Sequence, residues 1–110
     1  MTYIPGRGDV VWLMFDPQAG HEQAGKRPAL VISPKAYNAK TGLSLVCPIT
    51  SQVKHYAFEV GIPSGLAVAG VVLADQMKSL DWRARKADYI CTLPPEITED
   101  VIAKIIPLLE

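Results

Sequence analysis

Residues 20–32 read GHEQAGKRPALVI, a polar stretch that runs directly into an apolar one. The polar part holds a histidine, a carboxylate and two adjacent cations, His21, Glu22, Lys26 and Arg27. The apolar part, residues 29–32, has the composition of a buried strand. Polar groups on a loop that leads into a rigid strand are a common setting for binding and catalysis. The stretch therefore predicts a β-containing fold with a functional loop at one strand end.

Short apolar segments separated by Gly and Pro continue through most of the chain. They predict strands over residues 10–15, 27–33, 43–49, 56–62, 70–74, 78–80 and 87–93, with helical turns near 35–38 and 82–85. The first strand is apolar without a break, so we expect burial on both faces, with Trp12 and Phe15 in the core. Many short strands with such turns predict a strongly bent antiparallel sheet or a small barrel. Residues 1–110 are of the size expected for one domain.

A helix is predicted at the end of the chain. Pro94 and Pro95 suit its first turn, and Glu96 there complements the helix dipole. An apolar face recurs at helical spacing in the residues Ile97, Val101, Ile105 and Leu108. Pro107 cannot donate a helical hydrogen bond, so we expect the helix to kink or fray there.

The composition limits the classes of function. Eleven basic and eleven acidic side chains give a formal net charge of zero, so nucleic-acid binding would need a local basic patch. The two cysteines, Cys47 and Cys91, lie in apolar runs without metal-ligand spacing, which predicts buried reduced thiols and no metal site. No signal peptide and no apolar run of the ~20 residues needed to span a membrane is visible, so we expect a cytoplasmic protein. We also expect no cofactor, since no metal-ligand spacing is present.

Three polar clusters each follow an apolar strand: residues 21–27, residues 50–52 and residues 75–76. If the strand ends meet, the site would combine a carboxylate, a guanidinium, an imidazole and a hydroxyl. RNA phosphodiester transfer needs a general base, a proton donor and a fixed cation for the charge on phosphorus oxygens. The alternative is a solvated ion pair of Glu22 with Arg27, worth at most about 1 kcal/mol, and a Thr50 that only makes a turn.

Other polar or aromatic residues have two interpretations each. Trp82 lies in the densest basic stretch, residues 78–86, and could stack on a base or pack at a subunit contact. His55 could meet a phosphate, but its position favours an exposed side chain without a role.

Motifs along nearly the whole chain resemble those of the MazF/PemK (Kid) family of toxins. They begin near Gly8 and keep their order and spacing. The segments are GDVVW at 8–12, DP at 16–17, GHEQAGKRPA at 20–29, SP at 33–34, PIT at 48–50, GVVLADQ at 70–76 and DWRAR at 81–85.

This resemblance implies an SH3-like, twisted antiparallel barrel of the CcdB/PemK type with small helices and a C-terminal helix, assembled as a homodimer. It implies a metal-independent endoribonuclease that cuts single-stranded RNA, mRNA included, at short sequences. The products would carry a 2′,3′-cyclic phosphate and a 5′-hydroxyl. A cognate MazE-like antitoxin would hold the enzyme inactive by laying an acidic tail over the dimer groove.

The resemblance also implies roles for single residues. Arg27 matches the essential arginine, for transition-state charge and proton donation, and Thr50 matches the essential threonine, for phosphate positioning. Glu22 matches the general base proposed in the MazF branch. His21 and Asp75 match residues that the Kid branch uses to stabilise phosphate and as base.

One departure from the Kid pattern bears on the general base. Leu73 stands where Kid has an arginine two residues before the aspartate. This favours Glu22 as the base, with Asp75 and Gln76 reading a nucleobase or bracing the site. Glu22, Asp75 and Arg27 all stay open as candidates for that role.

RNA contacts are expected mainly from residues in the two polar loops, 18–26 and 51–56, and from the basic stretch that follows. The expected contacts are Gln23, Lys26, Ser51, Gln52, Lys54, Lys78 and Arg83. A competing function is a non-enzymatic toxin of the same fold that, like CcdB, poisons DNA gyrase. Such a toxin would not need the EQxGxRP loop or Thr50.

Overall fold

The computed structural model describes residues 2–15 and 25–110, and the strands and helices below refer to these ranges. The strands are β1 (Asp9–Phe15), β2 (Gly25–Val31), β3 (Leu43–Thr50), β4 (Glu59–Gly61), β5 (Val71–Leu73), β6 (Lys78–Asp81) and β7 (Asp88–Thr92). The helices are α1 (Lys35–Thr41) and α2 (Pro95–Ile105), and short 3₁₀ turns lie at Ala74–Gln76 and Ile106–Leu109.

All the strand pairings are antiparallel, and the strands follow the order β4-β5-β3-β2-β1-β7, with β6 also on β3. Strand β3 is shared, because its first half pairs with β6 and its last two residues pair with β5. This confirms the predicted mainly β class with a C-terminal helix. Within the described residues the sheet is left open between β4 and β7, so the barrel is not closed.

Two hydrophobic clusters occupy opposite sides of the sheet. One contains Val10, Leu30, Cys47 and Val72 under helix α2, which contributes Val101. The other is centred on Val11, Leu13, Ala29, Val46 and Trp82. Neighbouring residues such as Val10 and Val11 belong to different clusters because successive side chains of a strand point to opposite faces of the sheet.

The expected burial of β1 on both faces was wrong. Trp12 and Met14 are each 38% exposed, whereas Val11 and Leu13 are buried. Phe15 is half-buried and packs on the second cluster. An unbroken apolar run does not distinguish a strand buried on both faces from one that leaves apolar side chains uncovered on one face, which is the case here.

The C-terminal helix begins at Pro95 as predicted and ends before Pro107. The chain tightens there into the 3₁₀ turn of Ile106–Leu109, which confirms the expected disruption at the proline. Val101 and Ile105 are buried, but Leu108 is 49% exposed, so its place on the apolar face was wrong. The change of helical pitch takes Leu108 out of the α-helical register.

Helix α1 is longer than the predicted turn and is tied to the core by Asn38. This buried amide donates to the carbonyls of Pro5 (2.8 Å) and Ser33 (3.1 Å) and accepts from the Ser33 hydroxyl (2.5 Å). The Trp82 indole N–H donates to the Asn38 carbonyl at 2.9 Å. Trp82 is only 4% exposed, so it is a core residue and cannot stack on a base in this arrangement.

We expect Asn38→Ala to lower the free energy of unfolding by about 3 kcal/mol. The change leaves buried carbonyl and hydroxyl groups without partners, at about 1–3 kcal/mol each. Urea unfolding followed by circular dichroism measures the difference. Lys40→Ala, on the exposed side of the same helix, is the control and should change stability by less than about 0.5 kcal/mol. Equal stability of the two variants would contradict a structural role for the Asn38 network.

Both cysteines are free, Cys47 buried and Cys91 half-buried. Burial raises the pKa of the Cys47 thiol to about 12, and the carboxylate of Asp75 adds to the shift. A thiol of that pKa is uncharged and unreactive near neutral pH. Cys47 therefore fits the predicted buried thiol, whereas the predicted burial of Cys91 was wrong, because it is only half-buried. Among the described residues, none of the helices combines the length and apolar character that crossing a membrane requires.

Candidate active site

Arg27 and Thr50 lie together at one edge of the β2–β3 pair. Ala29 faces Pro48 in this antiparallel pairing. Continuing the register by two residues along each strand puts Arg27 opposite Thr50. Both are half-buried. They line a cleft of about 340 Å³ together with Pro28, Ile49, Ser51, Gln52 and Ala69.

The hydroxyl of Thr50 is oriented by the turn that follows it. The Gln52 backbone N–H donates to Thr50 Oγ1 at 3.1 Å. Because this bond uses an oxygen lone pair, the hydroxyl proton stays free to donate to a ligand oxygen. The cleft thus offers a guanidinium fork and a hydroxyl donor, a combination suited to a phosphate group.

Gly70 presses against the backbone of Thr50 from the neighbouring strand. Its φ is +110°, and a Cβ built there would lie 2.1 Å from the Thr50 carbonyl oxygen and 3.0 Å from Ser51 Cα. Val71, the next residue, pairs with Thr50 in the β3–β5 ladder. Only glycine allows this close approach. The position of Thr50 therefore depends on a residue outside the cleft.

Asp75 and Gln76 lie in the 3₁₀ turn after β5 and do not line the cleft. Asp75 Oδ1 accepts a hydrogen bond of 2.8 Å from the hydroxyl of Tyr56. That hydrogen bond raises the pKa of the Tyr56 phenol, and Gln76 partly opposes the shift. The structure thus places Asp75 on Tyr56 rather than beside Arg27.

The segment between β3 and β4, residues 51–58, is held by a carboxylate in the strand that follows it. Glu59 accepts from the backbone N–H groups of Lys54 and His55, at 2.9 Å each, one on each oxygen. His55 has a φ of 60°, which is uncommon for a residue other than glycine. Lys104 of α2 donates to the Ala57 carbonyl at 2.6 Å. We call residues 51–58 the β3–β4 loop.

The cationic side chains predicted to bind RNA do not form one cluster. Lys26 and Lys54 are exposed, and Lys78 lies 5.7 Å from the centre of the Phe15 ring. Arg83 stacks on Trp82 at 4.7 Å. Arg83 comes just after β6, whose last residue, Asp81, pairs with Leu43 at the start of β3. Thr50 is at the other end of β3, up to about 23 Å away along the strand. Within this chain, Arg83 is therefore separate from the cleft.

Three predicted site residues, His21, Glu22 and Gln23, lie outside the described residues. The described part of the site consequently contains the proposed cation and hydroxyl but not the preferred base. In residues 2–15 and 25–110, no group of three or more His, Cys, Asp or Glu side chains is arranged to hold a metal ion.

Comparison with known proteins matches this chain to one family over nearly its whole length. The profile of PemK-like, MazF-like toxins of type II toxin–antitoxin systems matches residues 6–109. The chain belongs to this toxin family.

Individual relatives agree with that assignment. The endoribonuclease toxin MazF of Escherichia coli K12 is 52% identical over 103 residues, which cover 94% of this chain and 92% of the relative. The endoribonuclease PemK of Escherichia coli is 35% identical, with 94% and 80% coverage. A crystal structure of MazE–MazF from Deinococcus radiodurans superposes with a TM-score of 0.92 at 54% identity, covering 98% of this chain and 97% of that one. The family resemblance of the sequence motifs is confirmed, and the gyrase-poisoning alternative is not favoured.

Three further residues of this PemK/MazF-like toxin have structural roles that the sequence interpretation missed. Tyr56 and Glu59 were assigned to a strand over 56–62, but β4 covers only Glu59–Gly61. Gly70 was read as an ordinary strand residue. The alternating pattern of residues 56–62 concealed the loop, and no local sequence signal identified Glu59 as its hydrogen-bond acceptor.

Proposed function

We propose that this toxin is a sequence-specific, metal-independent endoribonuclease that cleaves single-stranded RNA, including mRNA. Its products would be a 2′,3′-cyclic phosphate and a 5′-hydroxyl. The endoribonuclease activity agrees with the names of relatives up to 52% identical. The proposed cleavage chemistry rests on one observation, that Arg27 and Thr50 line the same cleft.

In the proposed reaction the RNA 2′-oxygen attacks the neighbouring phosphorus, and the bond to the 5′-oxygen breaks. Negative charge grows on the non-bridging oxygens during attack. Arg27 faces them with its guanidinium group, whose planar fork can pair with two oxygens. Thr50 donates from the opposite strand and fixes the phosphate. Fixed donors of this kind are usually a large part of catalysis.

The reaction also needs a group that takes the proton from the 2′-hydroxyl. We propose Glu22 for this role, following the family resemblance. Asp75 is the weaker candidate, because one of its oxygens already accepts from Tyr56 and it lies outside the cleft. Arg27 stays a candidate as the proton donor to the departing 5′-oxygen.

We further propose that residues 1–110 act as one domain in a homodimer in the cytoplasm, inhibited by a cognate MazE-like antitoxin. The Deinococcus radiodurans relative was crystallised as MazE–MazF, which supports an antitoxin of that kind. Dimerisation would bring the separate cations of two protomers to one groove. The side chains concerned are those of Lys26, Arg27, Lys54, Lys78 and Arg83.

Incubation of the purified protein with a long single-stranded RNA in EDTA tests the proposal. We expect discrete fragments whose ends share a short sequence, because neither Arg27 nor Thr50 chemistry needs a metal. RNA that stays intact in EDTA but is cut when Mg²⁺ is added would contradict metal independence. Intact RNA under both conditions, with DNA gyrase inhibited by the protein, would instead support the gyrase-poisoning alternative.

A further inference from the structure

Tyr56 is an exposed aromatic side chain whose position is nevertheless fixed. It is 36% exposed and belongs to neither hydrophobic cluster of the described residues. Its hydroxyl donates to Asp75, and its carbonyl accepts from the Glu59 N–H at 3.1 Å. Fixing a side chain costs conformational entropy. The hydrogen bond to Asp75 offsets part of that cost, and the 36% of the residue that stays exposed is held in place where a ligand can reach it.

The β3–β4 loop connects this ring to the cleft. The loop starts at Ser51 and Gln52, which line the cleft, and returns at Tyr56 to the turn that contains Asp75. Asp75 directly follows Ala74, whose carbonyl oxygen lies 4.0 Å from Cys47 Sγ, so Asp75 lies near Cys47. Cys47 is three residues before Thr50 on β3, which is about 10 Å along a strand. Tyr56 is thus placed within a few nucleotides of a phosphate in the cleft.

The loop is held in shape, and its exposed residues include polar side chains as well as Val53, which is 43% exposed. Glu59 fixes the backbone of Lys54 and His55, and Lys104 fixes the carbonyl of Ala57. Lys54 and His55 point exposed side chains to solvent beside Tyr56. A rigid aromatic ring next to cationic groups is the usual surface for single-stranded RNA, in which bases stack on rings and the backbone meets cations.

We propose that Tyr56 stacks on one nucleobase near the scissile phosphate and that its partner Asp75 selects that base. Only Oδ1 of Asp75 is used by Tyr56, so Oδ2 can accept from an exocyclic amine. A carboxylate accepts from such amines and repels carbonyl oxygens. The preferred base is therefore one with an exocyclic amine, which adenine, cytosine and guanine have and uracil lacks. The inference rests on the proposed RNA substrate, but not on the chemistry of cleavage.

Binding without cleavage separates this inference from the proposed function. The probe is a single-stranded RNA with the mapped cut site, made uncleavable by 2′-deoxyribose at the attacking nucleotide, with 2-aminopurine placed at one position at a time. Wild-type protein should quench the fluorescence at one position, because the base stacks on Tyr56. Tyr56→Leu should abolish that quenching. Tyr37→Leu is the matched control, since Tyr37 is an exposed tyrosine on helix α1, 40% exposed, and it should leave the quenching intact.

Cleavage kinetics give a second readout. Tyr56→Leu should raise KM by about fivefold to 150-fold, the range expected for one lost stacking contact, with kcat little changed. Tyr56→Phe keeps the ring but frees Asp75, so quenching should remain while the cut sequences become more permissive. Replacing the exocyclic amine of the stacked base by hydrogen should raise KM about tenfold for the wild type.

Several results would overturn the inference. Quenching that persists in Tyr56→Leu, or an unchanged KM and cut sequence in that variant, would do so. A change in the mass of the assembly in Tyr56→Leu, with RNA affinity unchanged, would show that the ring packs at a subunit contact instead. If the unmodified RNA is cut to fragments with a 3′-hydroxyl and a 5′-phosphate while quenching at one position still depends on Tyr56, the proposed cleavage chemistry fails and the stacking assignment stands.

Discussion

Arg27→Ala is expected to lose at least two orders of magnitude in kcat for RNA cleavage while keeping the fold. The guanidinium is half-buried in the cleft beside Thr50, where it can hold the oxygens that gain charge in the transition state. Removing one such preorganised group typically costs about 100-fold to 1,000-fold in rate. Single-turnover cleavage of a defined RNA measures the effect.

Two substitutions sharpen the test of Arg27. Arg27→Lys keeps a charge without the two-pronged geometry, so an intermediate rate is expected. Lys26→Ala removes a charge from the residue just before Arg27 on β2. Lys26 pairs with Met14 of β1 and Arg27 pairs with Leu13, so their side chains point to opposite faces of the sheet. Lys26→Ala should raise KM and weaken the salt dependence of binding, with kcat within a few-fold of wild type. A folded Arg27→Ala protein with near-normal kcat would rule out the assignment.

Gly70→Ala is expected to reduce kcat by about 100-fold although residue 70 does not line the cleft. The new Cβ would lie 2.1 Å from the Thr50 carbonyl oxygen, so Thr50 must move. A displacement of about 1 Å in a positioning group can cost about that factor. The rate should be measured well below the melting temperature of the variant, which circular dichroism determines.

Two other glycines serve as controls for Gly70. Gly65 also has a positive φ, of +89°, but a Cβ there would meet nothing within 4 Å. Gly61 has neither a positive φ nor an atom within 4 Å of such a Cβ. Gly65→Ala should lose about 1–2 kcal/mol of stability from backbone strain with kcat preserved, and Gly61→Ala should change little. If Gly70→Ala and Gly65→Ala have the same kcat, the contact with Thr50 has no catalytic importance.

The sequence predicted the meeting of Arg27 and Thr50 because each follows from a local pattern. Both lie at the polar ends of apolar strands, and antiparallel pairing places the start of one strand beside the end of its neighbour. The terminal helix and its disruption at Pro107 follow from proline chemistry in the same way. These are features that a few adjacent residues determine.

The features that were not predicted depend on contacts between distant segments. The exposure of Trp12 depends on which other segments pack over that face of the sheet, and the sequence of the strand does not contain this information. Gly70 resembles any strand glycine until Thr50 is placed against it. The bonds from Glu59 to the loop and from Tyr56 to Asp75 require the final loop path. The stacking of Arg83 on Trp82 also depends on the packing of distant segments, because the basic stretch alone does not show which ring its guanidinium meets.

The most direct test of the proposed chemistry is the mass of the upstream product from a short RNA with one cut site, cleaved in EDTA. We predict a fragment ending in a 2′,3′-cyclic phosphate, a downstream fragment with a 5′-hydroxyl, and no cleavage when the attacking nucleotide lacks its 2′-hydroxyl. Fragments with a 3′-hydroxyl and a 5′-phosphate, formed equally well from the 2′-deoxy substrate, would contradict the role given to the Arg27–Thr50 cleft.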